Sequence, residues 1–346
     1  MKLSVGIIGL PNVGKSTLFK ILTSQEVNIA NYAFTTINPN RGAVTVPDER
    51  LNKLGDIFPL KKRVAITIEF YDIAGLVKNA HKGEGLGNQF LSHIREVNAI
   101  IEVVRLFNEP VVSHVEANIN PLRDIEIIYS ELIFKDLETL DKRLNSLEKE
   151  IKTGDKQKII AKGQFKDLEI LKIVRDGLNK NTLVELPSDQ SNFDFPRESA
   201  ILKELNLLTA KPKIYLLNGS ENDITPELKE KLNFLKVGYI VKNLAENPPM
   251  NDLIKSAYNL LDLISFFTIG DEEIRAWTIK KGTKASCAAG VIHTDFEKNF
   301  IKAEIIDWEK LVELGSLQAG KNKGFIRLEG RDYEIKDGEV VFIRHT

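Results

Sequence analysis

The first residues that could do chemistry lie near the amino terminus, where residues 9–16 (the phosphate loop) read Gly-Leu-Pro-Asn-Val-Gly-Lys-Ser. This run fits the pattern G-x-x-x-x-G-K-[ST] at every fixed position and lies between an apolar segment, Leu3–Ile8, and an apparent helix. Backbone N–H groups of such a turn converge with the positive helix end on one point, which suits a polyphosphate. Lys15 is placed to reach the outer phosphates and the Ser16 hydroxyl to bind Mg²⁺. We expect the phosphates to contact Asn12, Val13, Gly14, Lys15, Ser16 and Thr17.

A second candidate motif, Asp72-Ile73-Ala74-Gly75, follows the apolar segment Ala65–Tyr71. In phosphate-binding switch proteins the Asp holds Mg²⁺ through water, and the N–H of the Gly contacts the γ-phosphate. Asp and Gly end many strands, so the pattern alone says little. Because it comes about one helix and one strand after the phosphate loop, we assign Asp72 to the metal ion and Gly75 to the γ-phosphate.

Two further loops are candidates for segments that respond to the nucleotide. Asn31–Asn40 is polar and contains adjacent threonines, and one hydroxyl, for which we choose Thr36, would complete the Mg²⁺ shell around a triphosphate. Gly83–Gly87 is rich in glycine and can rearrange at little cost. The alternatives are an ordinary surface loop for the first and a flexible linker for the second.

The choice of purine base is inferred from Asn218-Gly219-Ser220-Glu221, which follows an expected strand, Ile214–Leu217. Guanine-specific switch proteins carry Asn-Lys-x-Asp at this point. Here Gly219 removes the aliphatic cover of the base and Glu221 displaces the carboxylate, so recognition of guanine is weakened. Asn218 and nearby backbone groups could serve adenine. The sequence therefore favours ATP over GTP, unless the base is recognised elsewhere.

The group that positions the attacking water is not evident from the residues. Many switch GTPases place Gln directly after Asp-x-x-Gly, whereas this chain has Leu76, which cannot orient water. We therefore predict slow intrinsic hydrolysis. The candidate substitutes are His81 in the glycine-rich stretch, His93 on an expected helix, and His114 in the loop after the apolar run Ala99–Val104.

Composition and charge exclude several classes of protein. The chain has 346 residues, 42% hydrophobic and 28% charged, with a formal net charge of -1, which describes a multidomain globular protein rather than a basic nucleic-acid coat. The single cysteine, Cys287, allows no internal disulfide and favours a reducing compartment. Since no signal-peptide pattern or stretch of transmembrane length is present, we expect a cytoplasmic protein with neither a membrane nor DNA as partner.

The elements that must position these motifs divide the chain into three parts. Residues 1–123 and 205–265 alternate apolar runs with glycine-punctuated loops, as in an α/β domain with a mainly parallel sheet. Residues 124–204 carry apolar positions at helical spacing, which indicates a coiled-coil seam in an antiparallel hairpin; two helices packed flat on the sheet are the alternative. Residues 266–346 read as a small, mainly β domain.

Particular runs carry these assignments. In the first helix of the hairpin the seam positions are Ile133, Leu137, Leu140, Leu144, Leu147 and Ile151, and in the second they are Phe165, Leu168, Leu171, Val174 and Leu178. Ala257–Ile264 is expected to be helical. The runs expected to form the β-rich part are Arg275–Ile279, Ala288–His293, Phe300–Ile305, Gly324–Leu328 and Val340–Ile343.

With these motifs assembled, the chain resembles the Obg-like ATPases of the YchF subfamily, P-loop proteins related to translation factors, over nearly its whole length. The matching segments are Gly9–Thr17, Phe34–Asn40, Asp72–Lys78, Lys82–Leu91, Asn218 with Glu221, Arg275–Thr278 and His293–Lys298. There are departures. Asn79 and His81 stand where the family has small residues, and the acidic helical stretch usual between Val237–Val241 and Met250–Leu263 is missing.

The resemblance implies an ATPase domain interrupted by a coiled-coil hairpin and followed by a ubiquitin-like TGS domain. It also implies ribosome binding under nucleotide control, with the large subunit and ribosomal RNA as expected contacts. By position it selects His114 as the substitute for Gln, with His81 as a rival. It matches Ser16 and Thr36 to the family's Mg²⁺ ligands and Phe107 to an aromatic residue near adenine. Asn12 is a candidate K⁺ ligand, as in potassium-stimulated relatives.

Three functions compete at this point. The first is a slow ATPase whose switch loops couple the γ-phosphate to ribosome contact, and the second is a GTP-preferring enzyme of the same fold. The third is an RNA- or ribosome-binding adaptor in which the nucleotide only stabilises the fold. The adaptor is supported by the hairpin and by lysines of the β-rich part, although solvated surface charge is the commoner explanation. These lysines are Lys280, Lys281, Lys284, Lys321 and Lys323.

Overall fold

The computed structural model describes residues 3–24, 40–73, 86–108, 119–154, 163–180, 201 and 204–346. The first sheet is formed by β1 (Ser4–Ile8), β2 (Arg41–Thr45), β4 (Thr67–Asp72), β5 (Ala99–Arg105), β6 (Lys213–Asn218) and β7 (Tyr239–Lys242). Its order is β2-β4-β1-β5-β6-β7, with β2 antiparallel to β4 and the remaining neighbours parallel. The predicted α/β fold is therefore confirmed, with an antiparallel edge strand that makes the sheet mixed.

Burial explains which strands the sequence reveals. β1 and β5 are buried along their whole length, and a strand buried on both faces reads as a continuous apolar run. β2 lies at the edge of the sheet and buries only Val44, so no apolar run marks it. The sequence therefore predicts the central strands and misses this edge strand.

The helices that cover this sheet and form the insertion are α1 (Lys15–Ser24), α2 (Glu49–Ile57), α3 (Leu86–Glu96), α4 (Pro121–Thr153), α5 (Gln164–Asn179), α6 (Pro226–Phe234) and α7 (Asn251–Asn259). Side-chain caps fix several helix starts, because an oxygen of the preceding residue accepts a first-turn backbone N–H. Asp48 caps α2, Asn120 caps α4 and Thr225 caps α6.

The helices α4 and α5 pack against each other along an apolar cluster of their own. Its buried members include Leu140, Leu144, Leu147, Leu171, Val174 and Leu178, which follow the predicted helical spacing. Asp141 accepts a hydrogen bond from Arg175 at 2.6 Å and Glu150 accepts one from Gln164 at 2.9 Å, so the two helices run antiparallel. At the base of the pair, Asp136 accepts hydrogen bonds from backbone N–H groups at Leu208 and Thr209, which attaches α4 to the chain that leads into β6.

A second sheet is formed by β3 (Lys62–Val64), β8 (Leu263–Ile269), β9 (Glu273–Lys280), β10 (Phe300–Asp307), β11 (Arg327–Glu329) and β12 (Glu339–His345). Its order is β11-β10-β12-β8-β9-β3. The helices that accompany it are α8 (Ala285–Ile292), α9 (Thr294–Lys298), α10 (Trp308–Leu314) and α11 (Leu317–Asn322). The strand β3 comes from the amino-terminal part of the chain and pairs in parallel with β9.

Two expectations about the carboxyl-terminal part are wrong. The run Ala288–His293 lies mostly in the helix α8, whose small residues Ala285, Ala288 and Ala289 are buried. Alanine is the strongest helix former, and an apolar run without alternation does not distinguish a strand from a helix. Ala257–Ile264 is likewise not one helix, because α7 ends at Asn259 and β8 begins at Leu263.

One apolar core continues across both sheets. It joins Ile68 and Phe70 of the first sheet to Phe267 and Val340 of the second, with Leu51 and Leu54 of α2 between them. The carboxyl-terminal sheet is therefore packed against the amino-terminal α/β part rather than joined to it by a linker alone. Among the helices in the described ranges, none combines the length and apolar character that a membrane span needs.

Candidate nucleotide-binding site

The phosphate loop turns sharply between β1 and α1. Asn12 has a φ of 63° and Gly14 a φ of 108°, in the region that L side chains rarely adopt. A Cβ atom on Gly14 would lie 2.6 Å from Nδ2 of Asn218, so glycine is required there by space as well as by conformation. The backbone N of Leu18 donates to the carbonyl of Gly14 at 2.9 Å, which starts α1 directly after the turn. The predicted strand, turn and helix are present in this order.

Lys15 lies inside this loop. Its Nζ donates to the carbonyl of Leu10 at 2.8 Å, and only 8% of the residue is exposed. Burial lowers the pKa of the Lys15 ammonium group to about 8, and the negative charge of Asp72 opposes part of that shift. A buried ammonium group gains more from a neighbouring anion than an exposed one does, which suits contact with phosphate.

Ser16 and Asp72, both predicted metal ligands, lie side by side. The Ser16 hydroxyl donates to Oδ2 of Asp72 at 2.8 Å, although the residues are far apart in sequence. Hard cations such as Mg²⁺ prefer such oxygen ligands and keep several waters and phosphate oxygens, so the pair fits Mg²⁺. Within the described residues, no group of three or more His, Cys, Asp and Glu side chains is placed to hold a metal by itself.

A cavity of about 610 Å³ opens from the phosphate loop. It is lined by Asn12, Gly14, Lys15, Ser16, Thr17, Phe107, Asn108, Asn218, Asn243, Leu244 and Ala245. The predicted phosphate contacts thus form one end, and Phe107 and Asn218 belong to the same cavity. Val13 is buried and does not line it. Val13 instead offers its carbonyl to Asn218.

Asn218 connects three parts of the site. It lies at the end of β6 and is almost fully buried. Its Nδ2 donates to the carbonyl of Val13 at 2.9 Å, and its Oδ1 accepts from the backbone N of Leu244 at 3.1 Å. The side chain therefore fixes the spacing between the phosphate loop and residues 243–245, and one amide hydrogen remains for other contacts.

The base preference was argued from Gly219 and Glu221, and the two residues have different surroundings in the structure. Gly219 has a φ of 159°, and a Cβ atom there would lie 2.6 Å from Cβ of Leu106, so a lysine would not fit at this position. Glu221 begins a short 3-10 helix, is exposed and does not line the cavity. Its assignment to the base stays a prediction.

Residues 243–245 and Asn108 line the cavity but are absent from the sequence prediction. Asn243 comes directly after β7, and Asn218 is the last residue of the neighbouring parallel strand β6. Because the carboxyl ends of parallel strands meet at one edge of a sheet, this repeated pattern was the available signal. Asn108 follows Phe107 and carries no motif of its own.

Several predicted site residues lie outside the described ranges. These are Thr36, Gly75, His81 and His114. His93 is described: it lies on α3, is exposed and does not line the cavity. The choice of the residue that orients water is therefore still between His114 and His81.

Comparison with known proteins assigns these elements to a family. A Mycoplasma genitalium protein named "Ribosome-binding ATPase YchF" is 45% identical to this chain over 98% of each length. The Bacillus subtilis protein of the same name is 40% identical over 99% of each length. The chain belongs to the YchF family.

A solved YchF structure agrees with this fold. It is titled "Structure of the Schizosaccharomyces pombe YchF GTPase" and matches with a TM-score of 0.85 at 37% identity, covering 99% of this chain and 98% of that one. The profile "50S ribosome-binding GTPase" matches residues 4–161. A carboxyl-terminal YchF profile, described as "Protein of unknown function (DUF933)", matches residues 263–346. The resemblance found in the sequence is confirmed, while these names differ between ATPase and GTPase.

Proposed function

We propose that this YchF protein is a molecular switch that binds Mg²⁺ and ATP, hydrolyses ATP slowly and contacts the ribosome according to its nucleotide state. The observation that carries the proposal is the continuous cavity from the phosphate loop to the wall of Phe107 and residues 243–245. The names of the Mycoplasma genitalium and Bacillus subtilis relatives support both the ATPase activity and the ribosome as partner.

At the phosphate end, each described residue has a role that its geometry supports. Lys15 holds a positive charge inside the turn and binds the outer phosphates. Ser16 and Asp72, with Thr36 and the N–H of Gly75, would hold Mg²⁺ and the γ-phosphate. The metal ion, when bound, neutralises charge that develops on the phosphate oxygens. Asn12, which lines the same end, is our candidate for a K⁺ ligand, and equal ATPase rates in K⁺ and Na⁺ would exclude it.

For hydrolysis, His114 takes the place of the missing Gln and orients the attacking water. The side chain of Leu76 can neither accept nor donate a hydrogen bond, so this role is left to His114. Because the usual Gln is missing, we expect slow turnover. His114→Ala should lower turnover at least tenfold and leave ATP affinity within about twofold. His81→Ala is the matched variant for the rival position.

For the base, ATP is preferred over GTP. Gly219 leaves no room for a lysine stem over the base, and Glu221 is exposed rather than turned to the cavity, so the guanine-specific arrangement is missing. A preference for GTP is the second candidate, because the solved Schizosaccharomyces pombe relative is titled a GTPase. Calorimetry with Mg²⁺ and each nucleotide decides between them; a lower Kd for GTP would overturn the ATP assignment.

For the partner, we propose the large ribosomal subunit and its RNA, in the cytoplasm. The antiparallel pair α4 and α5, as a coiled-coil hairpin, and the carboxyl-terminal sheet, as a TGS domain, are the surfaces we assign to it. Five lysines lie in the carboxyl-terminal part. Lys284 forms an ion pair with Asp332 at 2.7 Å. The others are exposed, namely Lys280, Lys281, Lys321 and Lys323. Cosedimentation with ribosomes in ATP, in ADP and without nucleotide tests the proposal, and equal association in all three would contradict nucleotide control.

A further inference from the structure

Phe107 presents an aromatic ring to the nucleotide cavity, and an arginine supports that ring from outside the cavity. The guanidinium carbon of Arg105 lies 4.3 Å from the centre of the Phe107 ring, the shortest arginine-to-ring approach among the described residues. Phe107 lines the cavity and Arg105 does not. Arg105 therefore lies behind the ring rather than in the cavity with it.

The same arginine also fixes the backbone of Phe107. Nε of Arg105 donates to the carbonyl of Phe107 at 3.1 Å. The intervening residue is anchored as well, because the backbone N of Leu106 donates to the carbonyl of Asn218 at 2.9 Å. Both the ring and the carbonyl of Phe107 are thus held by Arg105, whose own position is set by the strand pairing of Arg105 with Asn218.

Arg105 is buried beside Phe107. Only 1% of the residue is exposed, at the carboxyl end of β5. Burying a guanidinium group is costly unless it is compensated, and the carbonyl and ring of Phe107 are two of the groups that compensate Arg105. A guanidinium group over an aromatic face is attracted to the ring electrostatically, which an aliphatic side chain is not.

We propose that Arg105 is a positioning residue for the purine base: it holds the ring of Phe107 so that the opposite face stacks on the base. The inference rests on the proposed function, because it requires a nucleotide in this cavity. It places base affinity, but not phosphate affinity, under the control of Arg105. The phosphate contacts are at the other end of the cavity and do not involve Phe107.

The test separates base from phosphate with two probes, Mg-ATP and Mg-tripolyphosphate, on the full chain. Arg105→Lys and Phe107→Leu should each raise the Kd for ATP about tenfold and leave the Kd for tripolyphosphate unchanged. In the Phe107→Leu background, adding Arg105→Lys should have no further effect on ATP. Arg275→Lys is the matched control, because Arg275 lies 5.1 Å from the ring of Trp277 in the second sheet, away from the cavity.

Several outcomes overturn the proposal. One is an Arg105→Lys variant that binds ATP as the natural protein does, and another is full additivity with Phe107→Leu. Equal weakening of both probes would assign Arg105 to folding alone. If the natural chain itself binds ATP no better than tripolyphosphate, the base does not stack here, and the proposed function loses its base contact before Arg105 is tested.

A spectroscopic readout covers the case in which Arg105→Lys does not fold. The Nε–H resonance of Arg105 is identified in ¹⁵N spectra of the natural chain as the arginine signal that moves in Phe107→Leu, because the ring lies 4.3 Å from the guanidinium. That signal should shift when ATP is added and stay in place when tripolyphosphate is added. No shift with ATP contradicts the proposal.

Discussion

Arg50 and Asp337 form an ion pair that joins the two sheets. Arg50, in the first turn of α2, donates from one guanidinium nitrogen to Oδ2 of Asp337 at 2.7 Å. The other oxygen of Asp337 accepts the backbone N–H of Ser265, on β8, at 2.8 Å. Arg50 is held in turn by Asp48 and lies 5.3 Å from the ring of Phe267. The carboxylate of Asp337 therefore links α2 to β8.

Removing that carboxylate should loosen the junction. Asp337→Ala loses the ion pair and leaves the N–H of Ser265 without its acceptor, so we expect the free energy of unfolding to fall by about 1–3 kcal/mol. Urea denaturation of the natural protein and of Asp337→Ala measures this loss. Asp332→Ala is the matched control, because Asp332 forms an exposed pair with Lys284 in the same part of the chain and its loss should leave the free energy of unfolding nearly unchanged. Equal losses in the two variants would contradict a special role for the junction.

The chain segment between β2 and β4 forms the amino-terminal side of this junction. It contains α2 and β3, and β3 pairs with β9 of the second sheet. Lys61 adds to the attachment, since its Nζ donates to the carbonyls of Gly270 and Asp271 at 2.6 and 2.7 Å. At its far end, β4 finishes at Asp72, which contacts Ser16. The carboxyl-terminal sheet is thus attached to the same two-stranded unit that carries a predicted metal ligand.

Much of the site follows from the sequence because its rules are local. A tight turn that exposes N–H groups before a helix needs glycine at fixed positions. The phosphate loop can therefore be recognised directly in the sequence. Asp72 was assigned from the Asp-x-x-Gly motif and its distance in sequence from the phosphate loop, and in the structure its carboxylate accepts a hydrogen bond from Ser16. The strands β1 and β5 could be predicted because they are buried on both faces and therefore have continuous apolar runs.

The remaining features depend on contacts between distant residues. Nothing in Asn218 itself shows that its amide links Val13 to Leu244. The strand β3 carries charged residues and is exposed or half-buried, so only its pairing with β9 marks it as a strand. Run-on apolar segments such as 257–264 fit both a helix and a strand, and tertiary packing decides between them.

The amide of Asn218 should support both stability and nucleotide affinity. Asn218→Ala leaves the carbonyl of Val13 and the N–H of Leu244 without partners in a buried site, so we expect a loss of about 2–4 kcal/mol in unfolding free energy and at least tenfold weaker ATP binding. Asn98→Ala is the control. Asn98 links to Ser4 near the amino ends of β1 and β5, so its loss should lower stability while ATP affinity remains unchanged. An equal effect of both variants on ATP affinity would contradict the linking role.

The buried ion pair of Glu102 and Lys213 should make the fold no more stable than a pair of apolar side chains would. Glu102 is fully buried, Nζ of Lys213 donates to its Oε2 at 3.1 Å, and its Oε1 has no hydrogen-bond partner among the described residues. Replacing both residues, as Glu102→Leu with Lys213→Met, should leave stability unchanged or raise it by about 1–4 kcal/mol. Lys213→Met alone should lower it by about 3–5 kcal/mol near neutral pH.

The pH dependence of the Lys213→Met variant has a definite sign. Burial raises the pKa of Glu102, and Lys213 opposes this rise, so removing Lys213 raises the pKa further. Where the folded-state pKa exceeds the unfolded value, stability is fully present below the unfolded pKa and is lost as pH rises toward the folded one. Urea denaturation of the variant at pH 5 and pH 7.5 should therefore show a smaller loss at pH 5. A loss independent of pH would show that Glu102 is not the group responsible.

Binding of a polyphosphate should take up a proton at Lys15. In the free protein the pKa of Lys15 is about 8, and a bound polyanion raises it, so at pH 8.5 a mostly neutral amine becomes an ammonium group. We expect more protons to be taken up per tripolyphosphate at pH 8.5 than at pH 7, because Lys15 is already largely charged at the lower pH. Calorimetry in buffers of different ionisation enthalpy measures this uptake directly.

Two variants identify the group that takes up the proton. Lys15→Met should abolish the uptake at pH 8.5, whereas Lys211→Met should keep it, because the half-buried Lys211 also has a pKa lowered by burial but does not line the cavity. Lys15→Met should also stabilise the free protein more at pH 7 than at pH 10. The free-energy cost of burying the ammonium group is fully present below pH 8. This cost is relieved as the pH rises from about 8 toward 10.5, because Lys15 loses its proton in the folded protein first. Uptake that persists in Lys15→Met would mean that another group charges on binding and that Lys15 is already an ammonium group in the free loop.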